Sequence, residues 1–306
     1  MTSILQRSAG EANDDPQESA SRQSLLIIFL SRTALNTAHR VVYPFLPSIA
    51  RGLGLSLQAA SSLVTLRVGV GMTAPVLGTA ADRFGRRRAM EAGLILFCTA
   101  GLLLSGVGSV TAAAIAFALY GLSKVLYDPA VHAYVGDTVA YEQRSRAVGL
   151  VELSWSCAWL VGVPLAGVLI ERLGWRAPWA AFTLLGLVGL WLTHTRLPPG
   201  RATARSESVP PAGAQALRAL FATWRGLLVR RPVVGLLLAN LLLSLAIETP
   251  FIVYGAWLET TFGLGLATLG LASIAVGASE GVAELGSMAI TDRLGKQRSA
   301  CFGSLG

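Results

Sequence analysis

Charged residues are scarce in this 306-residue chain, where Asp, Glu, Lys and Arg together make up 14%. A soluble domain usually carries about 25%. The mean hydropathy is +0.58, so the composition excludes an ordinary water-soluble fold and predicts an all-α membrane protein. We also predict no cleavable signal, because residues 1–23 are polar and acidic and have no early apolar core. We expect this segment to be a disordered cytoplasmic tail.

The sequence also lacks the usual marks of metal, cofactor or nucleotide chemistry. No GxxxxGK[ST] phosphate loop and no HExxH metal motif occur, and GLSK at 121–124 is not a nucleophile elbow. The three cysteines, Cys98, Cys157 and Cys301, lie in or beside apolar stretches without metal-ligand spacing. We therefore predict no cofactor and no metal site, and we disfavour both ATP drive and an intramembrane enzyme.

What the chain does have is long apolar stretches, each near the roughly 20 residues that a spanning helix needs. Eight such spans are predicted, at 24–47, 58–81, 90–108, 111–135, 147–170, 177–195, 233–257 and 265–290. We divide the chain into a tail (1–23), an N-terminal six-helix half (24–195), a cytoplasmic linker (196–231) and a partial C-terminal half (232–306). In the linker, Leu217, Leu220, Phe221, Trp224 and Leu228 have helical spacing, which favours an interfacial helix over a wholly disordered linker.

Positive charge gives the expected orientation. Eighteen Lys and Arg residues fall in the tail and the even-numbered loops, whereas the other side holds only Arg51, Arg172 and Arg176. By the positive-inside rule the N-terminus is cytoplasmic. The net charge of +8 therefore indicates topology and attraction to an anionic bilayer, not a nucleic-acid partner.

The two sides of the linker repeat each other. TDRLGKQR at 291–298 matches ADRFGRRR at 81–88 with a displacement of 210 residues, and FGLGL at 262–266 matches LGLSL at 53–57 with a displacement of 209. Two matches at nearly one period predict a duplicated six-helix unit, in which spans 7 and 8 correspond to spans 1 and 2. Residues 299–306 look like the beginning of a ninth helix, so we expect the second copy to be incomplete.

One carboxylate lies among four arginines in the stretch GTAADRFGRRRAM, from Gly78 to Met90. Arginines suit a cytoplasmic helix C-terminus, but Asp82 there needs a cationic partner or another helix N-terminus. Gly85 can supply a left-handed turn. A charge pair between moving bodies can act as a latch.

This stretch resembles the G-x-x-x-D-R-x-G-R-R signature between helices 2 and 3 of the major facilitator superfamily. YPFLPSIA (43–50) and GWRAPW (174–179) also resemble bacterial members. The resemblance implies a rocker-switch transporter of the bacterial inner membrane, with a gate motif at Gly78, Asp82, Arg83, Gly85 and Arg86 and a reduced copy at Asp292, Arg293, Gly295 and Lys296. For Arg87 and Arg88 a purely topological role is the better interpretation.

Some family features are replaced. The arginine often found in helix 4 is absent and only Lys124 is present, and Gly162-Val163-Pro164 stands where antiporters have adjacent Gly-Pro. The direction of transport therefore stays open. Family members have twelve helices, so the resemblance also implies missing C-terminal helices or another chain as partners.

Polar residues inside the spans indicate a cavity, because mid-membrane charges cost about 2.5–3.5 kcal/mol each on insertion scales. They lie in spans 1, 4, 5 and 7, which we predict to line the cavity, whereas spans 3 and 6 look peripheral. The candidate cavity residues are Arg32, Asn36, Arg40, Tyr43, Lys124, Tyr127, Trp155, Trp159 and Asn240. Trp155 and Trp159 could stack on a flat or cationic solute, or simply pack.

Two carboxylates are candidates for proton coupling, Glu248 first and Asp128 second. Glu248 precedes Pro250, which breaks the helical hydrogen-bond ladder. The alternative is a static pair of Asp128 with Lys124, at helical i,i+4 spacing, and of Glu248 with Arg40 or Arg32. Glu280 and Glu284 are either a second protonation site or partners of cytoplasmic arginines, and we favour the latter.

The sequence therefore predicts a proton-coupled secondary transporter of a small organic solute. The alternative is a non-transporting truncated fragment or a membrane sensor. Cations exceed carboxylates by one among Arg32, Arg40, Arg67 and Lys124 against Asp128, Glu152 and Glu248, which weakly favours anionic or neutral solutes.

Overall fold

The computed structural model describes residues 16–74, 85–198, 222 and 224–294, and within these ranges the regular structure is helical with no strand. The helices are α1 (Pro16–Arg40), α2 (Val42–Leu53), α3 (Leu57–Val70), α4 (Arg86–Gly106), α5 (Val110–Thr138), α6 (Arg144–Cys157), α7 (Val163–Leu173), α8 (Ala177–Arg196), α9 (Arg231–Phe262) and α10 (Leu266–Leu294). The all-α prediction is confirmed. Of the predicted linker helix, residues 222 and 224–228 are described and are helical; the rest of it lies outside the described residues.

Six helical segments of the described chain are long and apolar enough to cross a membrane, with α6 and α7 counted as one. The pair α2 and α3, bent by 119° at their junction, would make a seventh span. The predicted number of about eight is therefore not confirmed. Helix α1 begins at Pro16, earlier than the expected end of the tail, because proline at the first position and an acidic Glu18 suit a helix N-terminus.

Span 1 of the prediction is two helices, α1 and α2, which meet at Val41. Pro44 and Pro47 explain the interruption, because proline removes an amide donor from the helical ladder. Val41 keeps helical dihedrals and donates to the Thr37 carbonyl at 2.8 Å. The chain direction is therefore largely preserved through the break.

A second irregularity divides α6 from α7. Residues Ala158–Gly162 form a π turn, just before Pro164 at the start of α7. Thr37 of α1 lies directly over Gly162, where any Cβ atom would collide with it. The π turn and this glycine let α1 approach the backbone closely.

The predicted repeat has the same turn geometry in both copies. Gly54 caps α2 with φ of 67°, and Gly263 caps α9 with φ of 63°. Such left-handed C-caps favour glycine. The following helices begin at Leu57 and Leu266, so the pair α2–α3 and the pair α9–α10 are built around one repeated turn.

The packed core lies among α1, α2, α4, α5 and α8, and α4 is in contact with both α5 and α8. Its largest fully buried side chains include Phe45, Phe97 and Trp179. Helices α9 and α10 pack on the preceding helices more than on each other: α9 lies against α2, and α10 lies along α6 and α7. The first part of α9 is accessible, with Leu236, Leu241 and Leu242 exposed.

Candidate functional site

Five polar side chains of α1, α5 and α6 form one connected set of contacts, which we call the proximal cluster. Its members are Arg32, Asn36, Lys124, Asp128 and Glu152. Arg32 Nε donates to Asp128 Oδ1 at 3.2 Å, and its Nη1 lies 3.1 Å from Glu152 Oε1. Lys124 Nζ lies 3.0 Å from Asp128 Oδ2 and donates to Asn36 Oδ1 at 2.7 Å. The predicted pairing of Lys124 with Asp128 is confirmed.

Helix α6 anchors the proximal cluster through backbone and hydroxyl groups. Arg32 Nη1 donates to the Val151 carbonyl at 2.8 Å, and Asn36 Nδ2 donates to Ser154 Oγ at 2.9 Å. Two cations therefore face two carboxylates with short contacts, which is the arrangement that makes buried charge tolerable.

A second set, the bridging cluster, joins α1, α2 and α3 to α9 and α10. Its members are Arg40, Tyr43, Arg67, Glu248 and Glu280. The Tyr43 hydroxyl donates to Glu248 Oε2 at 2.5 Å and accepts from Arg67 Nη2 at 3.2 Å. Arg40 lies 3.8 Å from Glu248 and 3.5 Å from Glu280. Tyr43 thus connects a cation and a carboxylate that are not themselves paired.

Aromatic rings surround the cations of both clusters. The Arg40 guanidinium lies 4.6 Å from the Trp155 ring centroid and 5.3 Å from that of Trp159, and Lys124 Nζ lies 4.2 Å from that of Trp155. Trp159 is fully buried and stacks on Phe251 of α9. The protein's own cations therefore occupy the surface that we considered for solute stacking, and Trp155 lies between the clusters.

Glu280 and Glu284 of α10 do not pair with cytoplasmic arginines as we favoured. Glu280 faces Arg40 of α1, and Glu284 Oε2 accepts from Ser156 Oγ at 2.6 Å. Gly277 and Gly281 explain the error, because Gly277 packs on Trp159 and Gly281 on Ser156, which turns this side of α10 toward the bundle. The GxxxG spacing of these glycines was the signal available in the sequence.

The two glutamates change the charge balance of the region. With them, four cations (Arg32, Arg40, Arg67 and Lys124) face five carboxylates (Asp128, Glu152, Glu248, Glu280 and Glu284). The prediction that cations exceed carboxylates by one is therefore wrong for the region as a whole. The total charge does not favour an anionic solute.

Two predicted cavity residues lie apart from both clusters. Tyr127 is fully buried, with its Cβ against Gly93 where α5 packs on α4. Asn240 is exposed on the first part of α9. The cluster members come from α1, α2, α3, α5, α6, α9 and α10; α4 and α8 contribute none. Arg67 of α3 and Glu280 of α10 belong to spans 2 and 8, which were not among the predicted cavity-lining spans, although Arg67 was counted among the cavity charges.

The gate motif is described only in part. Gly78, Asp82, Arg83 and Gly295 lie outside the described residues, and Asp292 and Arg293 belong to the last turn of α10. Gly85 precedes α4 with φ of 90° and ψ of 148°, a conformation suited to glycine but not the predicted left-handed helical turn. Arg86 Nε donates to Asp137 Oδ2 at 3.2 Å, which ties the start of α4 to the end of α5.

Arg87 does more than set topology, contrary to our interpretation. Its Nε donates to Glu91 Oε1 at 2.9 Å, and its Nη1 donates to the Leu197 carbonyl at 3.0 Å. His194 Nδ1 lies 3.2 Å from the same Glu91 oxygen. Arg87 therefore joins the start of α4 to the chain just after α8.

A cavity of about 240 Å³ opens beside the bridging cluster. It lies between α1, α3, α5 and α9, and its polar lining is His39, Arg67, Lys124 and Glu248. Among the residues that the structure describes, no group of three or more His, Cys, Asp or Glu side chains is arranged to hold a metal ion. The site offers charged hydrogen-bonding groups in an apolar bundle, an arrangement that can bind and release polar solutes.

The family profile of the Major Facilitator Superfamily matches residues 25–306. An uncharacterized MFS-type transporter, YwfA of Bacillus subtilis, is 30% identical over 144 residues, covering 47% of this chain and 35% of that protein. Multidrug resistance protein 2 of Bacillus subtilis is 31% identical over 150 residues, covering 48% and 37% respectively. The chain thus matches well under half of the length of these relatives.

Solved structures of low sequence identity share the fold. The crystal structure of a D-xylose-proton symporter superposes with a TM-score of 0.66 at 17% identity, covering 89% of this chain and 69% of that one. A second structure, of the proton:xylose symporter XylE bound to 6-bromo-6-deoxy-D-glucose, gives a TM-score of 0.69 at 18% identity, with 91% and 70% covered. At this identity the likeness concerns the fold alone.

Proposed function

Because the chain belongs to the major facilitator superfamily, we propose that it is a secondary transporter that moves a small organic solute by alternating access. The observation that carries this proposal is the bridging cluster, in which Arg40 of α1 and Tyr43 of α2 contact Glu248 of α9, and Arg40 also contacts Glu280 of α10. Alternating access requires contacts that can be broken between two bodies. The names of the relatives, a multidrug resistance protein and a D-xylose-proton symporter, support a small solute and a proton as partners.

The proximal cluster is proposed to form the fixed wall of the solute cavity. Its contacts stay within α1, α5 and α6 and are short, so it can hold its shape while the bridging cluster changes. Arg32, Asn36 and Lys124 would present polar groups to the solute, together with Arg40, Tyr43, Trp155 and Trp159. We retain Tyr127 and Asn240 as supporting positions, since the first packs the wall and the second lies on α9.

Glu248 is proposed as the proton-coupling carboxylate. Its side chain is 42% accessible, against 23% for Asp128, and its partner Arg40 lies at 3.8 Å rather than in a tight pair. Asp128 is held by both Arg32 and Lys124, so protonating it would deprive Lys124 of its paired carboxylate and leave Arg32 with Glu152 alone. We therefore rank Glu248 first and Asp128 second.

The cytoplasmic gate is proposed to consist of Asp82, Arg83 and Arg86, with Gly78 and Gly85 allowing close approach. Asp292, Arg293 and Gly295 would form its counterpart after α10. The bond from Arg86 to Asp137 supports a gate loop anchored to α5. Since the basic loops are predicted to lie on one side, we further propose a multi-pass protein of the bacterial cytoplasmic membrane with a cytoplasmic N-terminus.

Transport by the 306-residue chain in proteoliposomes tests the proposal. An imposed pH gradient should drive flux of at least one solute from a panel of anionic, neutral and cationic compounds. Glu248→Gln should abolish the gradient-driven flux. Glu259→Gln should keep it, because Glu259 lies on the same helix and pairs with the exposed Arg51.

Two results would overturn parts of this proposal. Full gradient-driven flux in the Glu248→Gln variant would assign coupling to another group. Folded wild-type chain that moves no solute of the panel under any gradient would argue against transport by this chain. Asp128→Asn, assayed beside these variants, distinguishes the second-ranked carboxylate.

A further inference from the structure

Arg67 in α3 is a buried cation without an acidic partner among the described residues. The residue is 3% accessible. Its Nη1 donates to the His39 carbonyl at 3.0 Å and its Nη2 donates to the Tyr43 hydroxyl at 3.2 Å, while Nε has no hydrogen-bond partner. A guanidinium carries five N–H donors, so most of its donor capacity is unused. A buried charge without its counter-charge is costly, and an anion is the group that would offset that cost.

The cavity of about 240 Å³ adjoins this arginine. Val68 and Val125 form apolar walls of the cavity. Gly71 and Gly121 also line it, and as glycines they place no side chain in it. Pockets for drug-sized ligands begin at about 300 Å³, so the cavity suits a smaller molecule. An apolar wall beside an unsatisfied guanidinium fits a compound with one anionic end and one apolar end.

The nearby carboxylates are already engaged, so they leave the Arg67 charge uncompensated. Asp128 and Glu152 pair with Arg32, and Glu280 faces Arg40. Glu248, which also lines the cavity, accepts from Tyr43 and lies beside Arg40. The excess of carboxylates over the whole region therefore does not supply Arg67 with a direct partner.

We propose that this cavity binds a small organic monocarboxylate, with Arg67 as its anchoring cation. The planar donor fork of arginine matches the two oxygens of a carboxylate, and Val68 and Val125 would contact the apolar part. Lys124 lines the same cavity, but its charge is already paired with Asp128, so Arg67 provides the anchoring charge. The inference rests on the proposed function in one respect: such a carboxylate would be the solute that is carried.

Binding of benzoate and benzamide to the wild-type chain gives a test that requires no substitution. The 306-residue chain would be placed in nanodiscs of neutral phosphatidylcholine, and binding would be measured by isothermal titration. Benzoate should bind at least about tenfold more tightly than benzamide, its neutral counterpart of similar shape, because only the anion pairs with the guanidinium. Equal binding of the two compounds, no benzoate binding, or preference for inorganic phosphate would overturn the proposal.

Variants then assign the site to Arg67. Arg67→Met should lower benzoate affinity at least about tenfold, and Arg67→Lys should retain part of it, since the charge remains but the fork is lost. Arg51→Met is the matched control, because Arg51 is an exposed arginine remote from this cavity. Unchanged affinity in folded Arg67→Met would contradict the assignment, and the wild-type comparison of benzoate with benzamide decides the case if that variant does not fold.

The transport assay separates this inference from the proposed function. Benzoate binding without any gradient-driven flux would leave the carboxylate site standing and remove the transport proposal. Flux of other solutes without benzoate binding would leave transport standing and remove the carboxylate site.

Discussion

The two polar clusters differ in where their partners come from and in how tightly they pair. The proximal cluster draws on α1, α5 and α6, and its ion pairs measure 3.0 to 3.2 Å. The bridging cluster reaches across to α9 and α10; the Tyr43 hydroxyl contacts Glu248 at 2.5 Å, but the ion pairs of Arg40 are longer, at 3.5 and 3.8 Å. Tight pairing suits a fixed part of the site, whereas long contacts between separate elements suit a part that rearranges.

Unsatisfied donors and acceptors sharpen the contrast. In the described part of the chain, Arg40 Nε, Arg40 Nη1, Arg67 Nε and Glu280 Oε2 of the bridging cluster are buried without a hydrogen-bond partner, while no atom of the proximal cluster is in this condition. Buried polar groups are normally satisfied, so exceptions mark places where another partner is expected. The bridging cluster is therefore where a solute, a proton or a moved helix can add contacts.

Arg32→Met should produce the largest loss of stability, about 3 kcal/mol, because it leaves Asp128 and Glu152 without their shared cation. Unfolding of the purified chain by a denaturing detergent, followed by circular dichroism, measures the change. The same substitution at the exposed Arg51 is the control. If Arg32→Met lowered the free energy of unfolding by less than Arg51→Met does, the proximal cluster would hold the fold together no better than an exposed ion pair does.

Gly255→Ala should cost about 1–3 kcal/mol through overpacking. A Cβ atom at Gly255 would collide with the backbone of Tyr43 and Pro44, so α9 must move away from α2 and loosen the bridging cluster. The free energy of unfolding and the gradient-driven flux should both decrease. Gly235→Ala on the same helix has open space and should stabilise the protein by about 0.4–1 kcal/mol; equal effects at both glycines would refute close packing at Gly255.

Tyr43→Phe should cost about 1–2 kcal/mol, because it removes the hydroxyl that joins Arg67 to Glu248 but keeps the ring. A double-mutant cycle with Glu248→Gln measures the coupling, which we expect to be about 1 kcal/mol. Strict additivity of the two substitutions would show that the Tyr43 hydroxyl and the Glu248 carboxylate do not stabilise each other.

Arg51→Gln should have the smallest effect, under about 1 kcal/mol. Arg51 Nη1 lies 2.8 Å from Glu259 Oε1, but the arginine side chain is 59% accessible. Like the bridging cluster, this pair joins α2 to α9. It therefore tests whether a short but exposed ion pair between the two helices contributes to the free energy of unfolding. Raising the salt concentration in the unfolding assay should reduce even this difference; a larger loss than for Tyr43→Phe would mean that the exposed pair stabilises the protein more than the buried hydroxyl does.

The sequence predicted the helices well because long apolar runs are an unambiguous signal. It also predicted the Lys124–Asp128 pair, since residues four apart on a helix are neighbours. The break at Val41 was missed, although Pro44 and Pro47 pointed to it. Gly54 and Gly263 show why the stretches at 53–57 and 262–266 match: each ends a helix in a left-handed cap, which depends on glycine.

The partners of charged residues on different helices could not be predicted in the same way. Arg67 of α3 and Tyr43 of α2 are in contact. The apolar pattern does not define how each of these helices is rotated about its own axis, so the contact could not be predicted. The position of Glu280 beside Arg40 depends on which side of α10 faces the bundle, and α10 is apolar on most sides. Only the spacing of Gly277 and Gly281 indicated which side of α10 faces the bundle. The structure explains this spacing, because Trp159 packs against Gly277.

The π turn at Ala158–Gly162 has a consequence for insertions and deletions in this helix. A π turn accommodates one residue more than an α-helical ladder does, so α7 is rotated by about 100° relative to where regular phasing from α6 would bring it. Deleting one residue within the turn would convert it to regular helix and leave both flanks intact, but it would rotate either α7 away from α10 or the Ser154 face away from Asn36. The extra residue thus sets the rotation of the α7 face that packs on α10 relative to the α6 face that contacts Asn36. A residue deleted on one side of the turn therefore cannot be replaced by a residue inserted on the other side.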